Sequence, residues 1–247
     1  MSDRGRVRIE SSTRQVRVML GGEIVADTIE PLLVWEVPYY PTYYFPEDDV
    51  RADLLVETGE TKKSPSRGDA TQFKVKVNGS EGVAYSYPDP KIDELGGHYA
   101  FVWKTMDHWF EEDEEVFVHT RDPYTRIDIL QSGRRVRVEV DGETVADSHN
   151  ASFLYETGLP TRYYMPKTDV RMDLLTPTDT VTSCPYKGIA RYWTLTVGDE
   201  TYEDIVWGYD FPLPESQKIT GMVAFYNEKV QVYLDEVLQE RPKTKFG

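Results

Sequence analysis

The chain has 247 residues, 39% of them apolar and 29% charged, with 17 tyrosines, 9 phenylalanines and 5 tryptophans. That is ample material for packed cores and excludes global disorder. The formal net charge of -15 falls on both halves, 14 basic against 24 acidic side chains in residues 1–123 and 14 against 19 in residues 124–247. No Lys/Arg cluster interrupts it, so nucleic acid is not expected as a partner.

No run approaches the roughly 18 apolar residues a membrane-spanning helix needs, and the N-terminus (MSDRGRVRIE) lacks the apolar stretch of a signal peptide. The expected setting is the cytoplasm, with no membrane partner. The single cysteine, Cys184, rules out an intramolecular disulfide and a zinc site built from several thiolates. His98, His108, His119 and His149 share no register and no ligand spacing, so neither a metal nor a cofactor is expected.

Each half opens on a β-hairpin. Val136, Val138 and Val140 alternate with polar residues, Asp141-Gly142 is a hairpin turn, and residues 143–146 return as a second strand. Residues 73–77 and 193–197 repeat the two-residue period, and 116–119 and 230–234 follow it more loosely. Residues 90–95 and 214–219, each opening on a proline, are the helical candidates. The acidic run 111–115 reads as a solvated face or a loop near the linker.

Displacing the chain by 120 positions aligns residues 14–55 with 134–175 without a gap, and 19 of those 42 positions are identical. RQVRVMLGGEIVAD answers RRVRVEVDGETVAD, and YYFPEDDVRADLL answers YYMPKTDVRMDLL. The displacement grows to 122 at Tyr85 and Trp207 and to 124 at Phe101 and Phe225, which two small insertions in the second copy explain. A period this long, present twice, means duplicated globular domains rather than a solenoid. Arg121-Asp122-Pro123 reads as the linker. The expectation is a mainly β protein of two compact domains, 1–123 and 124–247, each with at most one or two short helices.

The second copy carries CPYKG at 184–188, WGY at 207–209 with prolines after it, and ITGMVAFY at 219–226. In these it resembles the bacterial and fungal family catalogued as domain of unknown function 427, also labelled nucleotidyltransferase-like. The resemblance covers the second half and reaches the first through the repeat, where SPSRG stands for CPYKG and AYSY for VWGY. It implies a compact β-structure of the β-tent or β-barrel-like kind. Neither half carries the paired-aspartate, glycine-serine signature of a nucleotidyltransferase or a phosphate-cradling loop.

Polar residues that survive duplication are candidates for a site: Arg51 and Arg171, Asp53 and Asp173, Asp49 and Asp169. In an extended segment Asp169, Arg171 and Asp173 share a face, a row that either fixes an arginine for an anion or satisfies itself as an ion-pair network. Arg67 and Lys187 hold a positive charge at one register, as an anion contact or as solvated turn residues. A lysine near Cys184 favours the thiolate, but the first copy has Ser64 there, so no covalent mechanism is common to both copies. The aromatic pairs Trp35 and Tyr155, Tyr43 and Tyr163, Tyr44 and Tyr164, Phe73 and Trp193, Tyr85 and Trp207, Tyr87 and Tyr209 are mostly core, with some free to line a pocket.

The leading functional reading is a module that binds a small molecule or anion, its pockets lined by Tyr85 and Tyr87 or Trp207 and Tyr209. Arg51, Asp53 and Arg67, or Arg171, Asp173 and Lys187, polarise them, and the second domain is the better binder. The alternatives are an enzyme acting on a phosphorylated or nucleotide-like substrate and an interaction scaffold.

Overall fold

The computed structural model describes residues 7–244. Residues 1–6, part of the N-terminus in which no signal peptide is read, and residues 245–247 lie outside them. The chain divides into two compact units, Met1–Asp122 and Pro123–Gly247. Most of the described residues lie in antiparallel strands, and the sheets do not close into a barrel.

The first unit contains β1 (Arg8–Ser11), β2 (Val16–Leu20), β3 (Glu23–Thr28), β4 (Leu32–Val37), β5 (Tyr40–Pro46), β6 (Leu55–Ser64), β7 (Gly68–Val77), β8 (Ser80–Ser86), β9 (His98–Phe101), β10 (His108–Glu111) and β11 (Glu114–Glu115). A seven-stranded sheet runs β1-β4-β5-β9-β8-β7-β6, and a four-stranded sheet runs β11-β10-β2-β3. The second unit repeats the plan with β12 (Ile127–Ser132), β13 (Val136–Val140), β14 (Glu143–Ser148), β15 (Ala151–Glu156), β16 (Arg162–Tyr164), β17 (Leu175–Cys184), β18 (Gly188–Val197), β19 (Glu200–Gly208), β20 (Val223–Phe225), β21 (Gln231–Leu234) and β22 (Val237–Leu238). Its large sheet is interrupted. Among the described residues the backbones of β12-β15-β16 and β17-β18-β19-β20 are joined by the paired bonds of Met165 and Val223, β16 stopping at Tyr164.

The opening hairpin forms for the reason its sequence suggests. Val136, Val138 and Val140 are buried on one face, and Asp141 and Gly142 adopt φ of 51° and 80°, the left-handed pair of a tight turn. Gly21, at φ 57°, could not carry a side chain, since a Cβ there would stand 2.6 Å from the Val77 carbonyl oxygen.

Alternation along the large sheet sends neighbouring side chains to opposite faces. Leu33, Trp35, Tyr43, Phe45, Val75 and Phe101 join Val16, Val18 and Val25 in a core between the two sheets. Val34, Tyr44, Ala70, Tyr85, Tyr87 and Ala100 form a second cluster on the outer face, packed against Leu95 and Ile92. The second unit does the same. Phe153, Trp193 and Val206 point inward, while Leu154, Tyr192, Trp207 and Tyr209 point outward beneath Ile219 and Met222.

Three local readings are corrected. Residues 116–119 form no strand, Val118 having a φ of 73°; the strand that pairs with β2 is β10, one turn earlier. That strand was hidden by Glu111, which is buried rather than solvated and accepts hydrogen bonds from Tyr43 Oη and, at 2.8 Å, from Arg14. An inward glutamate breaks the apolar alternation by which a strand is read. The segment of Asp169, Arg171 and Asp173 is not extended but folds into two 3₁₀ turns, Lys167–Asp169 and Met172–Leu174. The helical candidates are also 3₁₀: Asp93–Leu95 and the six-residue Pro214–Ile219. No helix among the described residues is long and apolar enough to cross a membrane.

Each unit holds its own inter-sheet core, so residues 1–123 and 124–247 produced separately are each expected to unfold cooperatively on heating, with β circular dichroism at low temperature. Loss of that signal in both halves, with the full chain folded, contradicts the expectation.

Candidate functional site

On the outer face of each large sheet a glutamate stands among tyrosines. Glu36 lies near the end of β4 and Glu156 ends β15. Facing them is the turn that joins β6 to β7 and β17 to β18, which delivers Arg67 and Lys187. Gly68 and Gly188 close these turns at φ 104° and 94°, and a Cβ on Gly68 would meet the Asp89 carbonyl oxygen at 3.0 Å. The backbone of Arg67 and of Lys187 is pinned from the same side, their carbonyl oxygens accepting from the Lys91 and Leu213 N–H groups at 2.9 and 3.1 Å.

In the first unit both oxygens of the carboxylate have partners. Glu36 Oε1 accepts from Tyr44 Oη at 2.7 Å and Tyr85 Oη at 2.5 Å. Oε2 pairs with an Arg67 terminal nitrogen at 3.1 Å and, more loosely, with Lys62 Nζ at 3.9 Å. Arg67 Nε donates to Tyr87 Oη at 2.9 Å. Burial, reinforced by the neighbouring phenols and Glu36, pushes Tyr44 and Tyr85 far above the usual phenol range, so both remain neutral donors.

The second unit keeps the ion pair and changes its surroundings. Lys187 Nζ meets Glu156 Oε2 at 2.5 Å, with only about a tenth of either side chain exposed. Trp207 replaces Tyr85 and turns its Nε1–H to Tyr164 Oη at 3.0 Å, away from the carboxylate. Among the described residues Lys187 is the one side chain bonded to Glu156, and Oε1 accepts nothing. Tyr209 packs against Tyr164, and burial raises the phenols of both far above their usual range. Cys184 is half-buried beside these rings.

The second unit also adds a buried ion pair with no counterpart in the first, where Thr42 stands at the register of Arg162. Arg162 grips Glu228 through two bonds of 2.6 and 2.7 Å, bonds Asn227 Oδ1 at 2.7 Å, and lies over the Trp207 and Tyr226 rings. Burial alone would raise the Glu228 pKa, but hydrogen bonds from Arg162 and Thr244 hold it below the usual carboxylate range.

The residues proposed from sequence therefore fall into two groups. Arg67, Tyr85, Tyr87, Lys187, Trp207 and Tyr209 lie in the outer clusters, where Arg67, Tyr85 and Lys187 contact a glutamate directly and the others contact its neighbours. Arg51, Asp53, Arg171 and Asp173 do not. Arg51 pairs with Asp53, and Arg171 with Asp173 and Glu143, on exposed 3₁₀ turns, while Asp169 instead accepts a bond from Ser148. The central glutamate was missed, although Glu36 and Glu156 are identical at the 120-residue displacement. That identity, with no basic neighbour in sequence to account for it, was the signal. No group of three or more His, Cys, Asp or Glu side chains able to hold a metal occurs among the described residues.

Breaking a buried ion pair on one side leaves an uncompensated charge. Glu156→Met or Lys187→Met alone is expected to destabilise the second unit by about 3–5 kcal/mol, and the double variant to recover most of the loss; additive losses in denaturant titrations contradict this. The depressed pKa of Glu228 implies stability that is present above the unfolded-state value near ~4.3 and is lost as pH falls through the folded value. Glu228→Gln is accordingly expected to flatten the acid limb of the second unit's stability curve, measured by thermal midpoints from pH 3 to 7.

A comparison with curated proteins finds no match. The family described as Domain of unknown function (DUF427) matches residues 8–112 and 128–236. Each matched segment contains one complete cluster of glutamate, cation and tyrosines, and together they span most of the chain, which belongs to this family in two tandem copies.

Proposed function

We propose that each unit is a small-molecule-binding module whose site is the glutamate-cation-tyrosine cluster on the outer face of the large sheet, the second unit being the stronger binder. The observation that carries this reading is that a largely buried ion pair stands at the same register in both units. Packing does not require it, since a buried pair replaced by apolar groups is commonly as stable or more so. Polar side chains held in an apolar wall are the usual furniture of a ligand site. The preference for the second unit rests on Glu156 Oε1, which is not taken by a tyrosine as Glu36 Oε1 is.

Arg67 and Lys187 are each compensated by a carboxylate, so a simple anion is the weaker fit. The open group is an acceptor, and it suits a ligand that donates hydrogen bonds. The test is a thermal-shift screen of the full chain with nucleotides, sugar phosphates, organic acids, amines and divalent metals, followed by titration of any hit. Glu156→Gln, Lys187→Ala and Trp207→Ala are expected to weaken binding by about 1–3 kcal/mol, on the order of ten- to a hundredfold. Glu36→Gln is expected to leave it unchanged. Unaltered affinity in all three folded second-unit variants, or loss only in Glu36→Gln, refutes the assignment.

A further inference from the structure

The first unit shows what its site accepts, because one of its own side chains lies in it. Lys62 leaves β6 opposite Ala70. Its Nζ stands 3.8 Å from the centroid of the Tyr85 ring and 3.9 Å from Glu36 Oε2. An ammonium between an aromatic face and a carboxylate is a general means of cation recognition, and here the cation is tethered by its own side chain. The side chain is 43% exposed, and partial burial together with Arg67 draws the Lys62 pKa below the ordinary lysine range against the pull of Glu36.

The second unit lacks the tether. At the register of Lys62 stands Thr182, opposite Ala190, and its Oγ1 shares a hydrogen bond of 2.8 Å with Tyr192 Oη. Glu36 is faced by two cations, Arg67 and Lys62, whereas among the described residues Glu156 pairs with Lys187 alone. Arg162 lies over Trp207 but is committed to Glu228. The ring in Tyr85's place is an indole, the better partner for a cation. At the register of Asp89 the second unit has the exposed Phe211, whose backbone passes beside Gly188.

We propose that the ligand of the second site is an organic primary ammonium, its head held against Glu156 and Trp207 as Lys62 Nζ is held against Glu36 and Tyr85. The inference rests on the reading of the cluster as a binding site and adds the ligand's class. Binding exchanges the Thr182-Tyr192 hydrogen bond for the contacts of the ammonium.

The probe is n-butylammonium, which reproduces the lysine side chain, with n-butanol and butyrate as controls of similar shape. In the full chain, butylammonium is expected to raise the thermal midpoint of the second unit and to perturb tryptophan fluorescence saturably, the controls doing neither. Thr182→Lys, which supplies the tether, is expected to raise that midpoint without ligand and to weaken butylammonium binding at least tenfold, as is Glu156→Gln. Should Thr182→Lys fail to fold, Lys62→Thr decides. It is expected to lower the first unit's midpoint, and butylammonium but not butanol restores it. Equal effects of butylammonium and butanol, undiminished binding in Thr182→Lys, or no rescue of Lys62→Thr overturns the proposal. A hit of another class that binds in a Glu156-dependent way, with butylammonium inert, overturns the ammonium class alone; a screen in which nothing depends on Glu156 overturns the site as well.

Discussion

A strand that is buried on both sides has to satisfy two environments with one sequence, and this constraint organises each unit. Because side chains alternate, β4 and β5 place Leu33, Trp35, Tyr43 and Phe45 between the sheets and Val34 and Tyr44 outside them. The inner face meets another sheet and becomes a core of Val, Leu, Phe and Trp. The outer face is covered only by short irregular segments such as those carrying Leu95 and Ile219. Such cover leaves room for polar atoms, and there the glutamate, its cation and the tyrosines sit.

The ion pair is tolerable on that face because each partner is compensated and hydrogen-bonded. A carboxylate moved out of water loses several kcal/mol of solvation, of order, unless donors replace the water. In the first unit two tyrosine hydroxyls do so at one oxygen and Arg67 pairs with the other. In the second, the Tyr-to-Trp change at 207 removes one hydroxyl from the carboxylate and gives an N–H to Tyr164 instead. The asymmetry of the two sites follows from that exchange together with those of Lys62 for Thr182 and Arg67 for Lys187.

Periodicity and the internal repeat made the duplication, the opening hairpins and much of the aromatic core legible in the sequence. Trp207, Tyr209 and Lys187 were visible as candidates because turns and large rings leave local marks. Glu36 and Glu156 were not, since a lone acidic residue at the end of an apolar strand looks like the point where the strand reaches solvent. Its partner is 31 residues away in the chain, and no local pattern links them. Arg171 and Asp173 misled for the opposite reason: their spacing suits a strand face, but two 3₁₀ turns fold the segment so that the pair satisfies itself at the surface.

The two faces have also aged differently since the duplication. Between the sheets, Val16, Val18, Val25, Ala26 and Val50 recur unchanged as Val136, Val138, Val145, Ala146 and Val170, and exchanges such as Leu33, Phe45 and Val75 for Phe153, Met165 and Leu195 stay apolar. Outside, Lys62, Ser64, Arg67, Gln72 and Tyr85 have become Thr182, Cys184, Lys187, Tyr192 and Trp207, around the retained Glu156, Tyr164 and Tyr209. Between two sheets an exchange must stay apolar and near the same volume, whereas under a thin cover of loops side chains of different charge and hydrogen-bonding capacity have replaced one another. The architecture thus separates the mutations that threaten folding from those that alter recognition, and a doubled gene of this kind can explore new specificity in one copy while both copies keep the same frame.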